Sequence, residues 1–82
     1  MTLYVGNLSY EATDDDLRKA FGAYGKVDDA RVVMDRYTNQ SRGFGFVDMS
    51  NDEEARAAIE AIDGSEIAGR AVRVSIAQPR KD

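Results

Sequence analysis

The chain has 82 residues, of which 43% are hydrophobic, one is proline, and none is cysteine or histidine. This length supports one small domain with a modest core and leaves little room for a deep, enclosed active site. Without cysteine or histidine, disulfide bridges, zinc sites and the common nucleophile–base pairs are excluded. The formal net charge of −4 argues, taken alone, against nucleic acid, whose partners usually carry a basic surface.

The whole chain is expected to be one domain. Its folded core should cover about residues 2–77, followed by a short basic tail at residues 78–82. No apolar run is long enough for a signal peptide or a membrane span, so the cytosol is the expected location.

The first elements are a strand and a helix. Alternation within residues 2–8 predicts a half-buried strand with Leu3 and Val5 on its inner face. Thr13, followed by a run of aspartates, is typical of a helix N-cap with acids in the first turn. The helix is expected to end at Gly25. Its buried stripe would be Leu17, Ala20, Phe21 and Tyr24.

Two further strands follow. Residues 27–34 predict a strand with Ala30 and Val32 facing inward. Residues 35–41 form a polar loop without a core-forming side chain, and residues 42–49 predict the third strand.

A second helix and a fourth strand complete the pattern. Ser50 and Glu53 match a capping box, and the helix that they open is expected to end at Gly64. The fourth strand covers residues 70–76, and Pro79 prevents it from continuing much further. The core-facing residues of these two elements would be Ala55, Ala58, Ile59, Ile62, Val72 and Val74.

The order βαββαβ predicts a ferredoxin-like α+β fold, with two helices on one face of a four-stranded antiparallel sheet. No helix remains to cover the other face. Alternation in the third strand places Gly43, Gly45, Val47 and Met49 on one face and Arg42, Phe44, Phe46 and Asp48 on the other. The helices must pack against an apolar sheet face, which Val47 and Met49 provide. Phe44 and Phe46 therefore point to water, as does Tyr4. Exposed rings grouped in this way need a functional explanation.

Two stretches carry a resemblance to a known family. Residues 3–8 (LYVGNL) and 42–49 (RGFGFVDM) are similar to the hexamer and octamer signatures of the RNA recognition motif, and the resemblance covers essentially the whole chain. One departure is Met49, which stands where the family prefers an aromatic residue. That position is expected to be buried, so the change concerns packing and not binding.

The resemblance implies roles for individual residues. Tyr4 and Phe46 would each stack one base, Phe44 would lie against sugars, and Arg42 would pair with a phosphate. Main-chain groups of Ala77 and Gln78 would read base edges, and Arg80 and Lys81 would bind phosphates. Asp48 and Arg73 complete the candidate site. Asp48 is either a base reader or a solubilising charge, and Arg73 and Arg31 either bind the ligand or are ordinary solvated residues.

The position of the charges answers the objection from net charge. Most carboxylates fall on the helices or their starts, whereas several arginines fall on the open face or its edge. Asp29 and Asp48 also point to that face and lower its potential. Three other tyrosines carry separate expectations: Tyr10 packs at the entry to the first helix, Tyr24 lies in the core, and Tyr37 either contacts nucleic acid or stands in solvent.

The predicted function is binding of single-stranded RNA, without catalysis and without a cofactor, by a monomer that holds about two to four nucleotides. Single-stranded DNA is an open alternative ligand. A protein-interaction module that uses the same sheet face or the acidic helices is the first rival. A small hydrolase is the second, but it would need a cluster of catalytic groups that the sequence does not supply.

Overall fold

The computed structural model describes residues 1–77. The elements follow the predicted order, with one short hairpin added before the last strand. They are β1 (Thr2–Gly6), α1 (Asp14–Gly22), β2 (Asp29–Met34), β3 (Ser41–Asp48), α2 (Asp52–Ile62), β4 (Glu66–Ile67), β5 (Arg70–Ala71) and β6 (Arg73–Ala77). Within these residues no helix has the length and apolar character needed to cross a membrane. The cytosolic location stays a prediction.

Four strands form one antiparallel sheet in the order β2-β3-β1-β6. Both helices pack on the same face of this sheet, because their buried residues join one core cluster with the inward side chains of the strands. Leu17 and Phe21 of α1, for example, are fully buried in that cluster together with Leu3 and Val5 of β1. The predicted ferredoxin-like α+β fold is therefore confirmed.

The side chains of β3 alternate between the two faces of the sheet as predicted. Gly45, Val47 and Met49 are buried under the helices, whereas Phe44 and Phe46 on the opposite face are only partly buried. Met49 is fully enclosed, so the residue that departs from the family's signature is a core residue, as expected. The aromatic side chains of β3 thus contribute little to the core and remain available on the uncovered face.

The packing and the backbone conformation of β3 require its two glycines. A Cβ atom at Gly45 would lie 2.5 Å from the backbone oxygen of Arg31 and 3.1 Å from Leu17 of α1, so the helix and the neighbouring strand leave no room for a side chain. Gly43 has a φ angle of +84° at a point where the pairing of β2 with β3 shifts register. Packing and backbone conformation therefore explain both glycines without a ligand.

The end of α1 corrects one sequence prediction. The helix ends at Gly22 and not at Gly25, and Tyr24 is 43% exposed, so its expected place in the core is wrong. Helical spacing predicted a buried ring because the pattern continued beyond the last helical residue. Tyr10, expected to pack at the entry to this helix, is 70% exposed and packs little.

The start of α2 is displaced by one residue from the prediction. Asn51 is the N-cap, and its side chain accepts a hydrogen bond from the backbone nitrogen of Glu54 at 3.0 Å. Ser50 instead donates its hydroxyl hydrogen to the carboxylate of Asp28. The predicted capping box of Ser50 and Glu53 is therefore wrong, whereas the cap at Thr13 is confirmed with a full capping box.

The segment expected to be one fourth strand is divided. β4 and β5 form a separate two-stranded hairpin, and only β6 joins the main sheet. Val72 lies between β5 and β6 and is fully buried, and its backbone exchanges hydrogen bonds with Gly64 and Ser65. The inward direction predicted for Val72 and Val74 is nevertheless confirmed.

Candidate nucleic-acid interface

Three aromatic rings stand together on the uncovered face of the sheet. We call Tyr4, Phe44 and Phe46 the aromatic platform. The ring centroids are 5.8 Å apart for Tyr4–Phe44, 5.9 Å for Tyr4–Phe46 and 6.0 Å for Phe44–Phe46. These separations form a nearly equilateral triangle, and tilted or edge-on pairs at such distances are mutually attractive. The sequence predicted that these three rings lie on this face, and the structure brings them into contact.

The ring of Tyr4 owes its position to Gly6. A Cβ atom at Gly6 would lie 2.8 Å from both Cε1 and Oη of Tyr4, so the tyrosine ring covers the glycine. The two residues are neighbours on the same face of β1 because side chains alternate along a strand. In the sequence, Gly6 is recognisable only as part of the hexamer signature. The signal for its contact with Tyr4 is the spacing of two residues between a ring and a glycine.

Cross-strand pairing fixes the neighbours of the platform. Ser75, Tyr4, Phe46 and Arg31 occupy one row across β6, β1, β3 and β2. Arg31 is exposed on the open face, next to Phe46. A guanidinium group in this position adds a positive charge beside the ring, within the same row.

The next row on the open face is acidic. Asp29, Asp48, Thr2 and Ala77 lie side by side across β2, β3, β1 and β6. Asp48 accepts a hydrogen bond from the hydroxyl of Thr2 at 2.5 Å through Oδ1. Its carboxylate is therefore held in one orientation, and an ionised carboxylate can only accept hydrogen bonds. One end of the platform is thus lined by acceptors.

The opposite end of the platform carries arginines. Arg42 lies near the start of β3 and is exposed. Arg73 of β6 pairs with Gly6 in the sheet, and its Nε lies 3.6 Å from Oδ1 of Asp63. The side chains of Arg73 and Asp63 are 80% and 45% exposed, so this ion pair is weak and leaves Arg73 accessible.

The C-terminal part of the predicted site is only partly described. Ala77 ends β6 opposite Thr2, at the acidic row, where its main chain was expected to contact base edges. Gln78, Arg80 and Lys81 lie outside the described residues. Their predicted roles stay predictions.

A polar contact at the rim was not anticipated. Asn7, directly after β1, donates from Nδ2 to the backbone oxygen of Ala71 at 2.7 Å. Arg70 donates from Nε and Nη2 to Oδ1 of Asn7 at 3.2 and 3.0 Å. These bonds tie the β4–β5 hairpin to the end of β1. The partners are more than sixty positions apart along the chain, so no local sequence pattern indicates them.

No metal-binding cluster is seen in residues 1–77. No set of three or more acidic, histidine or cysteine side chains is close enough to hold a metal ion there. Every buried side-chain nitrogen or oxygen in this part of the chain has a hydrogen-bond partner. Among the described residues, the open sheet face is therefore the candidate functional site.

Comparisons with known proteins agree with this arrangement. The family model described as RNA recognition motif matches residues 3–73. The chain is 52% identical over 82 residues to "Putative RNA-binding protein RbpA" of Nostoc sp., covering 100% of this chain and 80% of the relative. It is also similar to the crystal structure of "RNA Binding Protein PG1", with a TM-score of 0.91, 45% identity and coverage of 100% and 99% of the two chains. A Sxl-lethal protein/RNA complex gives a TM-score of 0.89 at 30% identity, covering 99% of this chain and 48% of that one. The chain belongs to the RNA recognition motif family.

Proposed function

We propose that this protein binds single-stranded RNA on the open face of its sheet and catalyses no reaction. The observation that carries the proposal is the aromatic platform, three mutually contacting rings on a face that no helix of residues 1–77 covers. Tyr4 and Phe46 each stack one base, and Phe44 lies against the sugars between them. Family membership and the names of the relatives support RNA as the ligand.

Stacking supplies most of the affinity in this proposal. One base on an aromatic ring contributes about 1–3 kcal/mol and tolerates any base, because every base has a π face. The chain is acidic overall, and phosphate contacts on the face come from few cations. Binding therefore depends on the rings more than on charge.

The two ends of the platform give the bound strand an orientation. Asp29 and Asp48 lower the electrostatic potential at one end, whereas Arg42 and Arg73 attract phosphates to the other. Asp48 lies on the same face as Phe46, two residues further along β3, and its remaining acceptor positions would accept hydrogen bonds from base amino groups. The main chain at Ala77 and Gln78 would meet base edges at the same end. Arg80 and Lys81 would add phosphate contacts.

The proposed complex is one monomer with a short single strand of about two to four nucleotides. The sheet face needs no partner chain to complete it, because the platform comes from β1 and β3 of one molecule. Single-stranded DNA would meet the same rings, so only contacts to the 2′-hydroxyl would favour RNA over it.

The deciding experiment removes both platform rings of β3. Phe44→Ala together with Phe46→Ala should leave the fold intact, since neither ring belongs to the core cluster. Loss of both should weaken RNA binding by roughly 30-fold to 25,000-fold, at about 1–3 kcal/mol per ring. Titration of a short fluorescent single-stranded RNA by anisotropy measures the affinity.

The controls separate stacking from folding and from other modes of binding. Circular dichroism reports the fold of the double mutant, and Tyr4→Phe should bind as the native protein does because stacking uses the ring and not the hydroxyl. A partner on the helix side would not respond to the loss of the rings. A folded double mutant with undiminished RNA affinity would refute the stacking mechanism.

A further inference from the structure

An open groove lies between the start of α1 and β2, the strand that ends the main sheet on one side. It has a volume of about 470 Å³, within the range of ligand-binding sites, roughly 300–1,000 Å³. We call it the edge groove; its lining residues are Ala12, Thr13, Asp14, Asp15, Val32 and Met34. No further strand among residues 1–77 pairs with this side of β2, so the groove is open to a partner.

The floor of the edge groove is apolar. Ala12 and Val32 belong to the core cluster and are 6% and 8% exposed, so the edge of the core reaches the surface here. Met34, at the end of β2, is 52% exposed. Methionine is flexible and polarisable and adapts to partners of different shape. A partner that covers Met34 would remove apolar surface from water, so the floor favours a ligand with an apolar part.

The rim of the edge groove is acidic. Asp14 and Asp15 are exposed in the first turn of α1. Oδ1 of Asp14 accepts a hydrogen bond from the backbone nitrogen of Val32 at 2.7 Å, which holds this carboxylate against β2. The single ion pair of residues 1–77 joins Arg73 and Asp63, so no cation there neutralises either carboxylate of the rim. The rim therefore attracts a cation.

The same charges exclude nucleic acid from the edge groove. The start of a helix commonly favours an anion such as a phosphate, but three aspartates already occupy the first turn of α1. A phosphate would be repelled by them. None of the lining residues belongs to the aromatic platform, so a ligand in the groove and a strand on the platform would occupy different surfaces.

Arginine combines the two properties that the groove requires. Its apolar stem packs along hydrophobic surface while its charged head stays at the edge. The guanidinium group is planar, weakly hydrated and able to bind carboxylates through two parallel hydrogen bonds. An arginine beside apolar residues, as in a basic peptide segment, would cover Met34 and reach the rim together.

We propose that the edge groove docks a basic segment of a partner protein. One arginine of that segment lies with its stem on Met34 and its guanidinium group at Asp14 and Asp15. The proposal goes beyond RNA binding and does not depend on it. It would allow the protein to hold a basic partner at the edge of the sheet while RNA occupies the open face.

The test uses a short synthetic peptide in which arginine alternates with leucine, titrated at low salt into the native protein. Its matched probe has citrulline, which keeps the shape of arginine and lacks the charge. Nitrogen–proton correlation spectra locate the contact: amide signals of Thr13, Asp15 and Met34 should shift and saturate with the arginine peptide. The citrulline peptide should bind more weakly by about 2- to 30-fold, because two exposed carboxylates lose their partner.

Variants on both helices separate the groove from net charge. Asp15→Asn should weaken the arginine peptide by about 2- to 5-fold, and Met34→Ser by about 3- to 10-fold. Asp52→Asn, in the first turn of α2, makes the same change of charge and should bind the peptide as the native protein does. The variant without Phe44 and Phe46 should also bind it unchanged. The spectra report the fold of each variant.

Four results would overturn the proposal. They are the absence of saturable shifts at the groove, equal affinity for the two peptides, equal weakening by Asp15→Asn and Asp52→Asn, and larger shifts of the groove amides with a short single-stranded RNA than with the arginine peptide. The last result would assign the groove to RNA. Each of them leaves RNA binding on the platform to be decided by Phe44 and Phe46 alone.

Discussion

A glycine and a tyrosine, two residues apart on β1, show how a single side chain is oriented on the open face. The ring of Tyr4 lies over Gly6, and any Cβ at that position would lie 2.8 Å from the ring. The ring is the far end of a side chain with few rotatable bonds, so it would turn away rather than distort the sheet. The absence of a side chain at Gly6 thus keeps one member of the platform in place.

We therefore predict that Gly6→Ala impairs binding more than folding. The displaced Tyr4 ring would stack poorly on its base, and the loss of affinity should approach that of Tyr4→Ala, at most about 5- to 150-fold. Gly22→Ala is the matched control, because a Cβ at Gly22 meets nothing within 4 Å. It should bind RNA as the native protein does and should not lose stability, because Gly22 is the last helical residue of α1 and alanine is the better helix former. Equal RNA affinity of the two variants, measured by anisotropy, would contradict this role of Gly6.

At the scale of single residues, sequence patterns predicted the face to which a side chain points better than they predicted the contacts that it makes. Alternation correctly placed Tyr4, Phe44 and Phe46 on the open face, because the period of a strand is a local property. The contact between Tyr4 and Gly6 was missed because it depends on the rotamer of the ring. Tyr24 was wrongly placed in the core because spacing alone does not reveal where a helix ends.

At the scale of elements, each edge strand of the sheet donates a backbone hydrogen bond to an aspartate at a helix terminus. Asp14, in the first turn of α1, accepts through Oδ1 from the backbone nitrogen of Val32 in β2 at 2.7 Å. Asp63, the C-cap of α2, accepts from the backbone nitrogen of Val74 in β6 at 3.0 Å. β2 and β6 are the outer strands, so these two bonds satisfy donors that would otherwise be open to another strand.

The bond at Asp14 gives a prediction for stability. Asp14→Ala should lower the free energy of unfolding by about 1–2 kcal/mol, because a carboxylate acceptor for a part-buried backbone donor is lost. Asp15→Ala removes the same charge from the same helical turn and serves as the control for the interaction with the helix dipole. Urea denaturation of the two variants measures the difference. If the two variants lose equal free energy of unfolding, the hydrogen bond from β2 to Asp14 adds no stability beyond the interaction with the helix dipole.

The order of the elements could be predicted from the sequence, whereas two boundaries and one hairpin could not. Long periodic segments indicate helices and strands reliably, so both helices and the four main strands were found. β4 and β5 have two residues each, too short for any alternation to appear. The N-cap of α2 was assigned to Ser50 and not to Asn51 because both residue types favour that position. Asp28, which engages Ser50, is distant in sequence.

At the scale of the whole molecule, charge is separated between the two sides of the sheet. The first turns of α1 and α2 each contain three acidic residues, and these lie away from the platform. Arg31, Arg42 and Arg73 lie on the open face or at its rim, and Arg80 and Lys81 follow β6 in the sequence. A negative net charge is therefore compatible with a face that attracts phosphate, since exposed charges beyond about 8–10 Å are largely screened at physiological salt.

This separation predicts how RNA affinity responds to salt. With Arg42, Arg80 and Lys81 as phosphate partners of a short strand, about three counterions should be released, and the slope of log affinity on log salt should be near −2, at about −0.7 per contact. Replacing Arg80 and Lys81 together by glutamine should flatten the slope by more than about one unit. Anisotropy titrations at several salt concentrations measure it.

The control for net charge lies on the other side of the molecule. Replacing Arg18 and Lys19, both exposed on α1, by glutamine changes the total charge by the same amount but should leave the slope unchanged. Platform mutants should weaken binding at every salt concentration by one common factor, because stacking releases no counterions. If the native slope is zero, the basic residues of the face and tail bind no phosphate. If the α1 pair and the tail pair flatten the slope equally, the net charge of the molecule matters and the position of the charges does not.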